Sequence, residues 1–168
     1  DLYAGMLFGG TGIDRLQRWD GEAWHNAGTA NNQVLSLVVH DDELIAGGYF
    51  TDIGGVSANR VAAWDGAAWR ALGTGMNSGV WALYSNDGVL YAAGNFTTAD
   101  GQPAARIARW TGTQWQPLGN GFDDGAVFAL TAYGGEIHAG GSFTASGGSA
   151  LGHIARWDGA LWQPLGSG

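Results

Sequence analysis

Tryptophan recurs in this sequence at nearly constant intervals, and that spacing constrains the fold more than any other feature. Trp19, Trp64, Trp110 and Trp157 stand 45, 46 and 47 residues apart, and each has a second tryptophan five residues on: Trp24, Trp69, Trp115 and Trp162. The surrounding sequence repeats with them. LYAAGNFTTADGQPAARIARWTGTQWQPLG (90–119) returns as IHAGGSFTASGGSALGHIARWDGALWQPLG (137–166), again over 44–73 and, shortened, over 2–28. A period of 40–50 residues signals a propeller or a solenoid. At 168 residues and 45% hydrophobic content, the four copies suffice for one domain with a core.

Each copy reads as four strands. Strand a (34–39, 80–84, 127–132) is apolar on both alternating faces, as expected of a strand covered on both sides. A short turn such as Asn86-Asp87-Gly88 leads to strand b (2–8, 44–50, 90–96, 137–143). A longer loop leads to strand c, Ile107-Ala108-Arg109-Trp110 in the third copy. Asp20-Gly21, Asp65-Gly66, Thr111-Gly112 and Asp158-Gly159 then predict two-residue type I′ hairpins. Strand d starts at the second tryptophan and runs into Pro117 or Pro164, which places it at a sheet edge. No segment has helical periodicity, so the solenoid reading falls away. The expected fold is all-β, a β-propeller of about four four-stranded blades spanning approximately 1–28, 29–73, 74–119 and 120–168. The first copy lacks strand a, leaving 15 strands. The chain then closes as a small ring, pairs with a second copy, or is a fragment of something larger.

The order apolar-Tyr-x-Gly-Gly, Ile-Ala-Arg-Trp-Asp-Gly, Trp-x-Pro-Leu-Gly resembles kelch-type repeats. It is more similar still to the propeller repeats of the fungal cortical-polarity marker family and to the bacterial delta-60 repeats. Residues 90–119 and 137–166 carry the likeness best, and it extends over essentially the whole chain. The resemblance implies a propeller with binding or scaffolding roles at a cell surface. Kelch-like propellers also include a copper radical oxidase whose cofactor needs a cysteine; this chain has none. The first copy departs most, with Met6 in place of a glycine and a shorter b–c loop.

Composition excludes several function classes. The net charge is −8 and lysine is absent, which disfavours nucleic acid and anionic membranes. No apolar run approaches a membrane span. The absence of cysteine removes disulfides, thiolate metal sites and a thiol nucleophile. The first residue is Asp rather than Met, so a processed chain or a piece of a longer one is expected.

Chemistry-bearing residues follow the repeat rather than converging. Six of the seven arginines occupy two repeat slots, Arg15, Arg60 and Arg106 in one and Arg18, Arg109 and Arg156 in the other. They read as stacking on tryptophan or pairing with Asp between blades. His25, His40, His138 and His153 lack ligand spacing. Asp20, Asp65, Asp87 and Asp158 precede glycines and read as turn residues. Asp123-Asp124-Gly125 aligns with Asn77-Ser78-Gly79; a calcium site there would lack the spaced Asp pattern of known loops. Eight of the nine tryptophans hold repeat slots, which favours packing. Asn95-Phe96-Thr97 fits the N-glycosylation pattern. No cofactor is expected.

Binding residues usually sit on loops held by a rigid scaffold, here the end of the ring with the longer b–c and d–a loops. The residues that vary there are Asp52, Asn59, Asp100 and Gln102, with Ser146 and Ser149, on the b–c loops, and Asn32, Asn77, Asp123 and Asp124 on the d–a loops. They suit a protein or glycan partner. The expected function is a non-enzymatic scaffold or interaction module, extracellular or at a cell surface, with a homo-oligomer or partner chain completing the ring. A lectin with one weak site per blade is the alternative, and a propeller-type hydrolase or lyase the second.

Overall fold

The computed structural model describes residues 2–7 and 14–166, with side chains from Arg15 onward. It is all-β. Blade 1 comprises β1 (Leu2–Leu7), β2 (Asp14–Trp19) and β3 (Trp24–Ala30). Blade 2 comprises β4 (Val34–His40), β5 (Glu43–Gly48), a small hairpin of β6 (Asp52–Ile53) and β7 (Val56–Ser57), then β8 (Val61–Trp64) and β9 (Trp69–Ala71). Blade 3 follows with β10 (Val80–Asn86), β11 (Val89–Gly94), the hairpin β12 (Thr98–Ala99) and β13 (Gln102–Pro103), β14 (Ile107–Trp110) and β15 (Trp115–Pro117). Blade 4 has β16 (Val127–Tyr133), β17 (Glu136–Gly141), the hairpin β18 (Ala145–Ser146) and β19 (Ser149–Ala150), β20 (Ile154–Trp157) and β21 (Trp162–Pro164). Blades 2, 3 and 4 are four-stranded antiparallel meanders in the order a-b-c-d. Blade 1 has strands b, c and d among the described residues. The expected Met6 departure and the shorter first b–c loop lie outside the described side chains and residues.

Three points correct the sequence reading. The a–b turns are the two-residue ones: Asp87 and Gly88 both have positive φ, as type I′ demands. The c–d connections instead have four residues, because the two tryptophans of each blade pair directly across the strands, Trp110 opposite Trp115 with ring centroids 5.3 Å apart. In three of these loops the Asp carboxylate accepts two backbone N–H groups, as Asp65 does from Ala67 and Ala68, both at 2.8 Å, so only the glycine takes positive φ. Second, the b–c loops carry the two-residue hairpins, too short for any periodicity to announce. Strand d is an edge in blades 2, 3 and 4, but in blade 1 β3 runs on and its Ala30 pairs with Ile53 of β6.

Third, strand a is well covered only in blade 3, where β10 lies between β4 and β16. Leu35 and Val39 of β4, and Phe128 and Tyr133 of β16, are exposed. The core consists of three layers between successive blades. Each layer sets a phenylalanine and a tryptophan of one blade against the blade before, as Phe96 and Trp115 stand against Ile45, Val61 and Leu72. The buried indole N–H is satisfied by a carbonyl of that preceding blade. Trp69 donates to Ala27, Trp115 to Leu72 and Trp162 to Leu118, at 2.5, 3.0 and 3.2 Å.

Candidate functional site

The b–c hairpins and d–a connections lie together at one end of the blades, and the structure brings the expected loop residues into pairs there. Asn77 uses its side-chain oxygen to accept the N–H groups of Thr97 and Thr98, at 2.9 and 3.0 Å, and its amide donates to the Thr97 hydroxyl. Asn31 does the same for Thr51 and Asp52 one blade earlier. In blade 4 the role passes to Asp124, which accepts the Thr144 N–H and hydroxyl at 2.7 and 2.6 Å. The structural partner of Asn77 is therefore Asp124, not Asp123; the connection between blades 3 and 4 is one residue longer than that between blades 2 and 3. The released Asp123 carboxylate accepts the N–H groups of Gly147 and Gly148.

Asp100 joins three segments. One carboxylate oxygen accepts the N–H groups of Thr74 and Gly75, at 2.7 and 3.1 Å, and the other accepts the Trp115 N–H at 2.6 Å. Asn59 donates to the Thr74 carbonyl at 2.9 Å. The Asp52 carbonyl accepts the Asn31 N–H. Gln102 is exposed and lines an open groove of about 540 Å³ with Asp100, Pro103, Gln114 and Trp115. Asn59 and Asn77 line a second groove with Met76 and Gly101. Ser146, on β18, donates to the Gly121 carbonyl at 2.6 Å, while Ser149 stands exposed on β19. Most of these polar side chains thus fasten a d–a connection to the hairpin beside it, a role that sequence variation alone does not reveal.

Where β4, β10 and β16 begin, the same repeat slot holds Leu35, Trp81 and Phe128. Trp81 and Phe128 stack with centroids 5.4 Å apart and planes within 16°. The Trp81 indole donates to the Tyr49 hydroxyl at 2.9 Å. Asn95, of the glycosylation pattern, is half-buried; its oxygen accepts the Ser78 hydroxyl and its amide donates to Tyr49. Strand a is expected to be covered on both faces, and at this slot Phe128 is instead 54% exposed.

Two of the arginines, Arg60 and Arg106, hold carbonyls rather than the expected Asp partners. Arg60 donates to the Tyr49 and Phe50 carbonyls, and Arg106 to those of Phe122 and Gly125 in the next connection. Loop carbonyls outside a ladder need such donors. Arg156 pairs with Glu136 at 2.7 Å and Arg70 with Glu43. The histidines lie apart: His25 meets Asp20, His40 meets Ser85, and His138 packs edge-on against Tyr133. Among the described residues, no three His, Asp or Glu side chains form a group that could hold a metal ion.

A family model described as "Domain of unknown function (DUF5122) beta-propeller" matches residues 41–62 and 85–110. These are strands b and c of blades 2 and 3, in the repeat order seen in the structure. The chain is a β-propeller. No curated protein matches it.

The electrostatics of the propeller are those of turn and clasp carboxylates. Backbone N–H donors at Ala23 and Glu22, with His25, hold Asp20 far below the usual range. Backbone donors lower Asp65 and Asp158 in the same way, and the Thr144 hydroxyl and N–H lower Asp124. A carboxyl lowered on folding contributes stability that is complete above its unfolded value of 3.8 and is lost as pH falls through the folded value. The urea midpoint is expected to be flat from pH 7 to about 5 and to fall steadily below pH 4. A midpoint that rises on acidification to pH 3 would contradict this account.

Proposed function

We propose that this propeller is a non-enzymatic binding module of an extracellular or cell-surface protein. It presents its hairpin-and-connection face to a polar protein or glycan partner. The observation that carries this reading is the employment of the carboxylates on that face. Asp100, Asp123 and Asp124 spend their lone pairs on backbone N–H groups, which makes the face rigid and leaves these acids engaged in structure. Catalytic acids and bases show the reverse pattern, with ionisation tuned toward neutrality by burial or a like charge. The acidic balance of the chain favours a neutral or basic partner. The likeness of the Ile-Ala-Arg-Trp-Asp-Gly segment to cell-surface propeller repeats supports the setting. Incubation with a panel of glycoside, ester and polyuronate substrates is expected to give no turnover. Turnover abolished by Asp100→Asn or Asp124→Asn, in a chain that stays folded, would overturn the reading.

One observation favours a lectin-like form of the same module. Phe128 is 54% exposed and stacked on Trp81, whose indole N–H donates to the Tyr49 hydroxyl. A flat aromatic beside polar groups is what a sugar ring uses. Titration with mono- and disaccharides to millimolar concentration, read by tryptophan fluorescence, is expected to show saturable quenching that Phe128→Ala removes.

A further inference from the structure

Blades 3 and 4 carry the same outer groove, built from the same repeat slots between strand d and the b–c hairpin, and they differ there in one side chain. In blade 3 the groove runs along Asp100, Gln102, Pro103 and residues 114–117. In blade 4 it runs along Gly147, Ser149 and residues 161–164, with Asn120 and Ser146, and holds about 240 Å³. Asp100 in blade 3 accepts the N–H groups of Thr74 and Gly75 with one oxygen and the Trp115 N–H with the other. Gly147 takes the place of Asp100: Gly147-Gly148 joins β18 to β19 as Asp100-Gly101 joins β12 to β13. The backbone is the same, with φ 48° at Asp100 and 55° at Gly147, so the conformation does not demand the glycine.

Without that carboxylate, blade 4 keeps the donors. The Asp158 N–H donates to the Leu161 carbonyl at 3.1 Å, as the Thr111 N–H does to Gln114 at 3.0 Å. The tryptophan pair that follows therefore exchanges no backbone bonds, since such pairs alternate along an antiparallel ladder. The Trp162 N–H points out of the sheet edge, in the direction by which Trp115 reaches Asp100, and among the described residues no side chain accepts it. Asn120, in the slot of Thr74, leans over Gly147: a Cβ there would stand 2.4 Å from its amide nitrogen. That amide also has no acceptor among the described residues. Two N–H donors at the place of one carboxylate suit a carboxylate from elsewhere, because charge-assisted bonds are the strong ones.

Continuing the repeat would not cover this groove. Its blade 3 counterpart stays open with blade 4 following it. The carboxylates bonded to groove residues, Asp123 on Gly147 and Asp158 on Leu161 and Gln163, are already spent on N–H groups. Leu161, 54% exposed, and Pro164 add an apolar wall. With a chain charge of −8, the occupant that fits has one carboxylate on a small, otherwise neutral group.

We propose that blade 4 binds the carboxylate of a ligand where blade 3 holds Asp100, with the Trp162 N–H and the Asn120 amide as its donors. The site is separate from the Phe128 platform and stands whether or not that platform takes a sugar.

The test is titration of the ¹⁵N-labelled chain with acetate at pH 7, against chloride at constant ionic strength, read by amide chemical shifts. The Trp162 backbone amide and the Asn120 side-chain amide should shift together and saturably, with a dissociation constant of about 10 mM, as two charge-assisted bonds made in water allow. The Trp115 amide, held by Asp100, should not move. Asn120→Thr combined with Gly147→Asp rebuilds the blade 3 arrangement and should abolish the response. Acetamide, which has the shape without the charge, should bind at least about tenfold more weakly. Absence of a saturable shift at Trp162, equal binding of acetamide, or an unchanged response in the rebuilt variant each overturns the proposal. If the rebuilt variant misfolds, Asn120→Ala, at an exposed position, is read instead: about tenfold weaker acetate binding is expected, and undiminished affinity overturns the site. Glucuronate and an N-acetylated, amidated aspartate then carry the carboxylate on a sugar and on a peptide. The one that binds more tightly than acetate names the source, and exclusion of both overturns the groove as a ligand site.

Discussion

Trp115→Ala is expected to lower the unfolding free energy by about 3–5 kcal/mol, while Trp24→Ala lowers it by about 1 kcal/mol or less. The two residues occupy one repeat slot on strand d. Trp115 is 1% exposed, packs against Trp110, lies in the layer with Val61 and Leu72, and donates its indole N–H to the Leu72 carbonyl at 3.0 Å. Alanine there leaves a cavity the size of an indole and strips the buried Leu72 carbonyl of that donor, and the two losses act together. Trp24 lies tilted against Trp19 and is 44% exposed, so its truncation opens no cavity. Urea unfolding of dilute protein measures the difference free of any contribution from association. Equal losses for the two variants would mean that the slot, rather than the presence of a preceding blade, sets the energy.

That contrast also shows what could be read from the sequence and what could not. The Trp-x₄-Trp spacing sufficed for four sheets in meander order, because a strand pattern and its turns are local properties. The c–d loop was misread because Asp-Gly is ambiguous alone. Whether two or four residues turn depends on whether Trp110 and Trp115 face each other, a contact between strands. Ile107 and Ile154 are the same residue in the same motif, one buried and one exposed. Their difference lies in the neighbouring blade, to which a residue's own sequence context is blind. The b–c and d–a loop residues meet each other in the structure. Their engagement, as when Asn77 accepts from Thr97 and Thr98, joins positions about twenty residues apart that only the folded connections bring together.

Adjacent glycines in blade 4 should respond to alanine with opposite signs. Gly141→Ala is expected to cost about 3 kcal/mol or more, near the upper end for overpacking, because a Cβ there would stand 2.0 Å from the Ala126 carbonyl oxygen. That oxygen accepts the Ser142 N–H at 2.9 Å and is fixed by the bulge between Val127 and Ala129, so neither atom has room to yield. The same approach recurs at Gly48 and Gly94, each 2.0 Å from a carbonyl of the connection before strand a, so the glycine is a requirement of the blade itself. Gly140 has no atom within 4 Å of its would-be Cβ and is not in the left-handed region. Alanine restricts the unfolded chain there without strain in the folded one, and a gain of about 0.4–1 kcal/mol is expected. Gly47, the equivalent in blade 2, meets Val80 of the following strand a at 2.6 Å. Chemical denaturation of the two variants therefore reports on what covers blade 4. A loss at Gly140 as large as that at Gly141 would place a further strand a against the forward face of blade 4, as Val80 lies against Gly47.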